Sequence, residues 1–311
     1  MLWRNSILLG IGAAALVTCL AVGAWLWTPD KSRAALEAKY LRSPADYLDV
    51  DGLRLHVRDS GSRNGPAVIL IHGFGSSLHT WESWATGLSD KYRVIRYDLP
   101  GFGLTGADPT GDYSEERGMH VLAALMDKLS VRRASLIGNS IGGRLVWQFA
   151  ARYPDRVDKL VLISPDGFAS PGYEYGKAPE VPLLARMMKY VLPRTFLKAN
   201  LAPAYAEPRR LTDATVDRYY DLMLAPGVRG AMIARMEQTR LEPPEPILAA
   251  IKAPTLLLWG QQDHLIPVSN SADYIKAMPD AKLVILPDLG HVPQEEDPSR
   301  SLQPVRAFLD K

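Results

Sequence analysis

The chain reads as an α/β protein: a mostly parallel sheet with helices on both faces, a helical insertion, and one apolar N-terminal segment. Three features point there. Short runs such as AVILI, KLVLI and TLLLW are apolar throughout, as strands buried on both faces are. Helical patterns alternate with them, which crossover-connected parallel strands require. The alternation then fails between Asp166 and Pro246, where 10 of the 24 prolines, five methionines and six tyrosines gather and helical periodicity survives without a buried strand.

In chain order, residues 1–27 come first as a separate physical object. Ile7 to Trp27 is uncharged over 21 residues, and about 20 apolar residues suffice to cross a bilayer as a helix. Trp3 precedes the run and Trp25 and Trp27 close it, where aromatic rings favour the membrane–water interface. Arg4 in front and Lys31 and Arg33 behind would hold the ends in the headgroup layers. An uncleaved membrane anchor is the expectation; a signal peptide cut after Val22-Gly23-Ala24 is the alternative, and Leu16-Val17-Thr18-Cys19 is only a faint lipoprotein box. Lys31, Arg33, Lys39 and Arg42 outnumber Arg4, which favours a cytoplasmic C-terminal part if the segment is retained. Residues 28–45 read as a polar linker with a short helix.

Strands are expected at Leu53–Arg58, Ala67–Ile71, Arg93–Tyr97, Ala134–Ile137, Lys159–Ile163, Thr255–Trp259 and Lys282–Leu286. Helices are clearest at Ser114–Leu129, Ile141–Tyr153 and Ser299–Leu309, and within the insertion at Val181–Val191 and Thr212–Leu224. Residues 46–165 and 247–311 thus form the core, and 166–246 a lid over the sheet edge where active-site loops gather. Composition excludes other classes. A net charge of +2, with no basic run, gives nucleic acid no footprint, and the lone Cys19 rules out an internal disulfide.

The chemistry centres on Gly138-Asn139-Ser140-Ile141-Gly142, which fits G-x-S-x-G between the strand ASLI and the helix IGGRLVWQFAARY. That strand–turn–helix setting holds a serine exposed on a turn so tight that only glycine fits two residues either side. A serine alcohol needs a base. His291 follows the last strand; His264 is its rival, while His56, His79 and His120 read as structural or surface residues. The base needs an acid to hold its ring. Asp263 follows TLLLW in the order Ser…Asp…His, with Asp166 as the alternative. An oxyanion needs preorganised donors, and His72-Gly73-Phe74-Gly75 after AVILI supplies one; the backbone N–H groups of Phe74 and Ile141 are assigned. Phe74, Met187, Met188 and Val292 are expected to touch substrate. No cofactor or metal is implied, since no histidine and carboxylate spacing resembles a zinc site.

With HGFG, GNSIGG, WGQQDHLIP and GHVPQEEDP in order, and Asp98-Leu99-Pro100-Gly101-Phe102-Gly103 after a strand, the chain from Asp49 to Lys311 resembles a capped α/β-hydrolase. Haloalkane dehalogenases and epoxide hydrolases resemble it broadly but attack with a carboxylate where Ser140 stands. The carbon–carbon hydrolases of aromatic degradation share the GNS elbow and cap, but usually show Gly-Pro-Gly after HG and Asn in the Pro-Gly-Phe loop. This chain has Ser76-Ser77 and Gly103 there. Similarity to membrane-anchored monoacylglycerol lipases and small bacterial lipases implies an esterase acting on monoacylglycerols or other amphiphilic esters through an acyl-enzyme on Ser140. A carbon–carbon hydrolase or acyltransferase is the alternative, and a non-catalytic ligand-binding protein the remote one.

Overall fold

The computed structural model describes residues 26–169 and 174–311, with Thr18 and Gly23 ahead of them. Its frame is an eight-stranded sheet in the order β1-β2-β4-β3-β5-β6-β7-β8. The strands are β1 (Tyr47–Val50), β2 (Leu53–Gly61), β3 (Ala67–Ile71), β4 (Arg93–Tyr97), β5 (Ala134–Asn139), β6 (Val157–Ile163), β7 (Thr255–Gly260) and β8 (Lys282–Leu286). Across the sheet from β4 to β8 all pairings are parallel; β1 and β2 run antiparallel to their neighbours. Every expected strand is present. β1 was not expected from the sequence: it is only four residues long and joins β2 through Asp51-Gly52, both at positive φ, the turn geometry that Asp-Gly favours in hairpins.

Alternation along β3 explains why its sequence carries no polar residue. Ile69 and Ile71 pack into one core layer and Val68 and Leu70 into another, so both faces are dry. The helices Glu115–Lys128 and Ile141–Arg152 cover one face, the first started by Ser114, whose side chain accepts from Arg117 N. Trp81, Trp84 and the C-terminal helix Pro298–Leu309 cover the other.

The insertion lies between β6 and β7 as expected and is helical: Leu183–Met187, Arg194–Leu201, Asp213–Met223 and Val228–Gln238 are its main helices. Residues 28–45 are not a free linker. Thr28 N donates to Tyr190 O at 2.9 Å, Lys31 N to Leu224 O at 2.8 Å, and Arg229 Nη2 to Asp30 Oδ1 at 2.7 Å. Asp221 of the cap accepts from Lys31, Lys39 and Tyr40. Although burial works against its charge, these donors hold the Asp221 carboxyl below its usual range. The arm therefore straps cap to core. The membrane span expected within residues 7–27 lies almost wholly outside the described residues, among which no helix is long and apolar enough to cross a membrane.

Candidate active site

Strand β5 delivers Ser140 into a forced turn. Ser140 has φ 55° and ψ −122°, a conformation that costs a non-glycine residue energy and persists only where surroundings impose it. The surroundings are backbone. A Cβ on Gly138 would sit 2.2 Å from Gly142 O, and one on Gly142 would sit 2.4 Å from Ile71 O. Ser140 N donates to Ile163 O at 3.1 Å, and Asp166 N donates to Ser140 O at 3.1 Å, which fix the turn against β6.

His291 sits in the loop after β8, buried, with Nδ1 2.8 Å from Asp263 Oδ2. The other Asp263 oxygen, Oδ1, accepts from the backbone N–H groups of Leu265 and Ile266, each at 2.9 Å. Burial opposes the charge on Asp263, but the imidazole and these donors outweigh it and hold the carboxyl below its usual range. The rivals separate cleanly. Asp166 pairs with Arg144 Nη1 at 2.7 Å, and His264 is exposed.

Ser140 and His291 face one cavity of about 510 Å³, together with Phe74, Met188 and Val292. Met187 is not on its wall; it points outward and is half exposed, which corrects the expectation for that residue. The cap supplies Leu192, Leu197, Met223, Met232 and Met236, so the wall is overwhelmingly apolar. A second cavity of about 390 Å³ shares Phe74, Pro182, Met236 and Leu265 with the first; its polar lining includes Arg144, Arg235 and the carboxylates Asp166 and Glu180. Arg235 is buried; its Nη2 donates to Pro100 O at 3.1 Å, while its Nε has no partner. Among the described residues no carboxylate pairs with it, and no group of three or more His, Cys, Asp and Glu is arranged to hold a metal.

The HGFG loop is held by its own histidine. Leu99 N donates to His72 Nε2 at 3.0 Å, so Nδ1 carries the proton and donates to Gly73 O at 2.8 Å. Gly73 packs so closely on the elbow that a Cβ there would meet the Ser140 Cβ at 3.2 Å. Phe74 thereby stands beside the serine.

Three residues that sequence reasoning missed complete the assembly. Asn139 Nδ2 donates to His291 O at 3.0 Å, and its Oδ1 accepts from Gln294. Glu296 accepts from Gly290 N at 2.7 Å and from Ala206 N and Glu207 N of the cap. The signal was adjacency alone: Asn139 precedes the serine, and Gln294 and Glu296 lie just past the histidine.

A family model described as the alpha/beta hydrolase fold matches residues 66–298. The chain belongs to this family. Among its relatives is the 2-hydroxy-6-oxo-6-phenylhexa-2,4-dienoate hydrolase of Burkholderia cepacia, 30% identical over 257 residues, covering 79% of this chain and 88% of that protein. The meta-cleavage product hydrolase of Pseudomonas fluorescens IP01 superposes with a TM-score of 0.73 at 26% identity, over 86% of this chain and 98% of its own. A membrane phospholipase A described as a bacterial virulence factor is similar over 98% of both chains, with a TM-score of 0.70 and 27% identity. The run of dienoate and meta-cleavage hydrolases among the relatives overturns the expectation that this α/β-hydrolase is an ester-cleaving lipase. The likeness holds despite Ser76-Ser77 and Gly103.

Proposed function

We propose that the protein hydrolyses a carbon–carbon bond beside a ketone in an unsaturated 2-hydroxy-6-oxo acid with an apolar substituent on the ketone. The observation that carries this is the likeness to dienoate hydrolases across most of both chains. The two cavities meeting at Phe74 support it: an apolar arm suits the methionine-rich wall, and a carboxylate-bearing arm suits Arg235, which has no carboxylate partner among the described residues.

Chemically, a carbon leaves with its electron pair only if that pair is delocalised. In the 2-oxo tautomer of such a substrate the C5 pair spreads through the C3–C4 double bond onto the 2-oxo oxygen. Ser140 Oγ adds to the C6 ketone while His291 Nε2 takes its proton. The backbone N–H groups of Phe74 and Ile141 meet the oxyanion. Collapse breaks C5–C6, leaves the acyl group on Ser140, and the proton passes from His291 to the departing dienolate as a dienol. Water, deprotonated by His291, then releases the acid. Asp263 stays ionised throughout and fixes the ring.

The test is turnover of 2-hydroxy-6-oxo-6-phenylhexa-2,4-dienoate, followed by loss of its visible absorbance, beside p-nitrophenyl esters of graded chain length. Cleavage of the dienoate, with feeble rates on all esters and loss of activity in Ser140→Ala, is the expected result. Brisk ester cleavage with an inert dienoate would overturn the proposal.

A further inference from the structure

We propose that the exposed apolar rim of the cap rests on a lipid bilayer, so that the site's mouth opens into lipid. This goes beyond the reaction and does not depend on which bond is cleaved.

The helix Leu183–Met187 buries none of its residues. Leu183 is 74% exposed and Leu184 66%, and Met187, Tyr190, Phe196 and Trp27 are also open to solvent. A cluster of large apolar side chains on a water-facing surface marks a contact face. Exposed Lys189 stands among them, with Arg186 and Lys198 paired to Glu237 and Asp213, a mixture of aliphatic, aromatic and cationic side chains of the kind that settles at a headgroup layer.

The direction of the chain names the occupant. The uncharged run from Ile7 ends at Trp27, whose ring lies 5.7 Å from that of Tyr190. Thr28, Asp30 and Lys31 are then bonded to cap residues without slack. A bilayer that held the uncharged run would meet the described chain at Trp27, beside this face. Leu184 and Phe196 belong both to the exposed rim and to the cavity wall, which joins the lipid to the site.

The test uses the full chain with Cys19→Ser, carrying bimane either at Leu183→Cys or at Asn64→Cys, an exposed position before β3 at the opposite end of the sheet. The protein is reconstituted into vesicles of phosphatidylethanolamine and phosphatidylglycerol with a lipid spin-labelled shallowly in its acyl chain. Blue-shifted emission quenched by the labelled lipid at Leu183→Cys, and neither at Asn64→Cys, is the expected result. Aqueous emission at both positions in vesicle-bound protein would overturn the proposal, as would failure of the chain to stay with vesicles. A blue shift that tracks protein concentration and ignores the labelled lipid would overturn it in favour of a second copy on this face. None of these readouts uses turnover, so an inactive protein on dienoates leaves the result interpretable.

Discussion

Replacing Asp263 by Asn removes one charge, leaves the shape intact and reverses the direction of one hydrogen bond. Oδ1 of Asp263 already accepts two backbone N–H groups, from Leu265 and Ile266. An asparagine must keep its carbonyl oxygen there, because an NH2 group would face two donors. Its NH2 then takes the place of Oδ2, 2.8 Å from His291 Nδ1, and donates to it. The ring is forced into the tautomer with hydrogen on Nε2, the nitrogen that must accept the serine proton. A base locked in the wrong tautomer costs about 10⁴-fold in turnover in serine-protease triads. At about 1.4 kcal/mol per decade, that is roughly 5.5 kcal/mol of lost transition-state stabilisation. Steady-state rates on the phenyl dienoate measure the drop, thermal unfolding checks the fold, and ¹⁵N shifts of His291 report the tautomer. Turnover within tenfold of the unaltered enzyme, with the tautomer unchanged, would refute the reasoning. The same loss in Asp166→Asn with Asp263 intact would move the role to Asp166.

Other outcomes rest on single contacts. Arg235→Gln should raise KM for a dienoate far more than it lowers kcat, because the guanidinium is assigned to binding; equal KM values would remove that assignment. Gly138→Ala should yield little folded protein, since its methyl meets Gly142 backbone at 2.2 Å; a soluble, active variant in normal yield would contradict the tightness of the elbow. Glu296→Gln should lower stability by roughly 1–3 kcal/mol in urea melts, as three backbone donors lose a charged acceptor; an unchanged midpoint would show those bonds to be dispensable. Acid should unfold the protein early. Burial holds His79 down to about 3 and lowers His72, so below about pH 6.5 the unfolded chain binds protons that the native state refuses. Stability then falls with pH by about 1.4 kcal/mol per unit for each histidine until its native value is reached. Urea midpoints that stay flat between pH 7 and 5 would contradict that burial.

Much of this architecture was legible because buried parallel strands leave apolar runs, and the reacting groups hang from the ends of such runs. Ser140 follows ASLI, Asp263 follows TLLLW and His291 follows KLVIL, so locating the strands located the loops that carry the proposed site. What hid was short or set by packing. β1 has four residues and one outward charge at Asp49, too brief for periodicity to register. Met187 ends a helix of barely more than one turn and Met188 caps it, and which of them turns inward depends on neighbours that the sequence does not place. The contacts of Asn139, Gln294 and Glu296 join loops far apart in the chain. The choice of bond to cleave was hidden for a chemical reason: an acyl-forming serine, its histidine and its oxyanion donors serve an alkoxide or a stabilised carbanion alike. The likeness to dienoate hydrolases is what favours the carbanion here.

The Asn139 amide reaches from the elbow to the carbonyl of His291, so the loop after β8 is tied to the turn by the neighbour of Ser140. A different side chain at position 140, a thiol or a carboxylate, would leave that tie in place, because it is made by Asn139 and by backbone. The scaffold works like a jig, in which the tool can be swapped while the clamp stays closed.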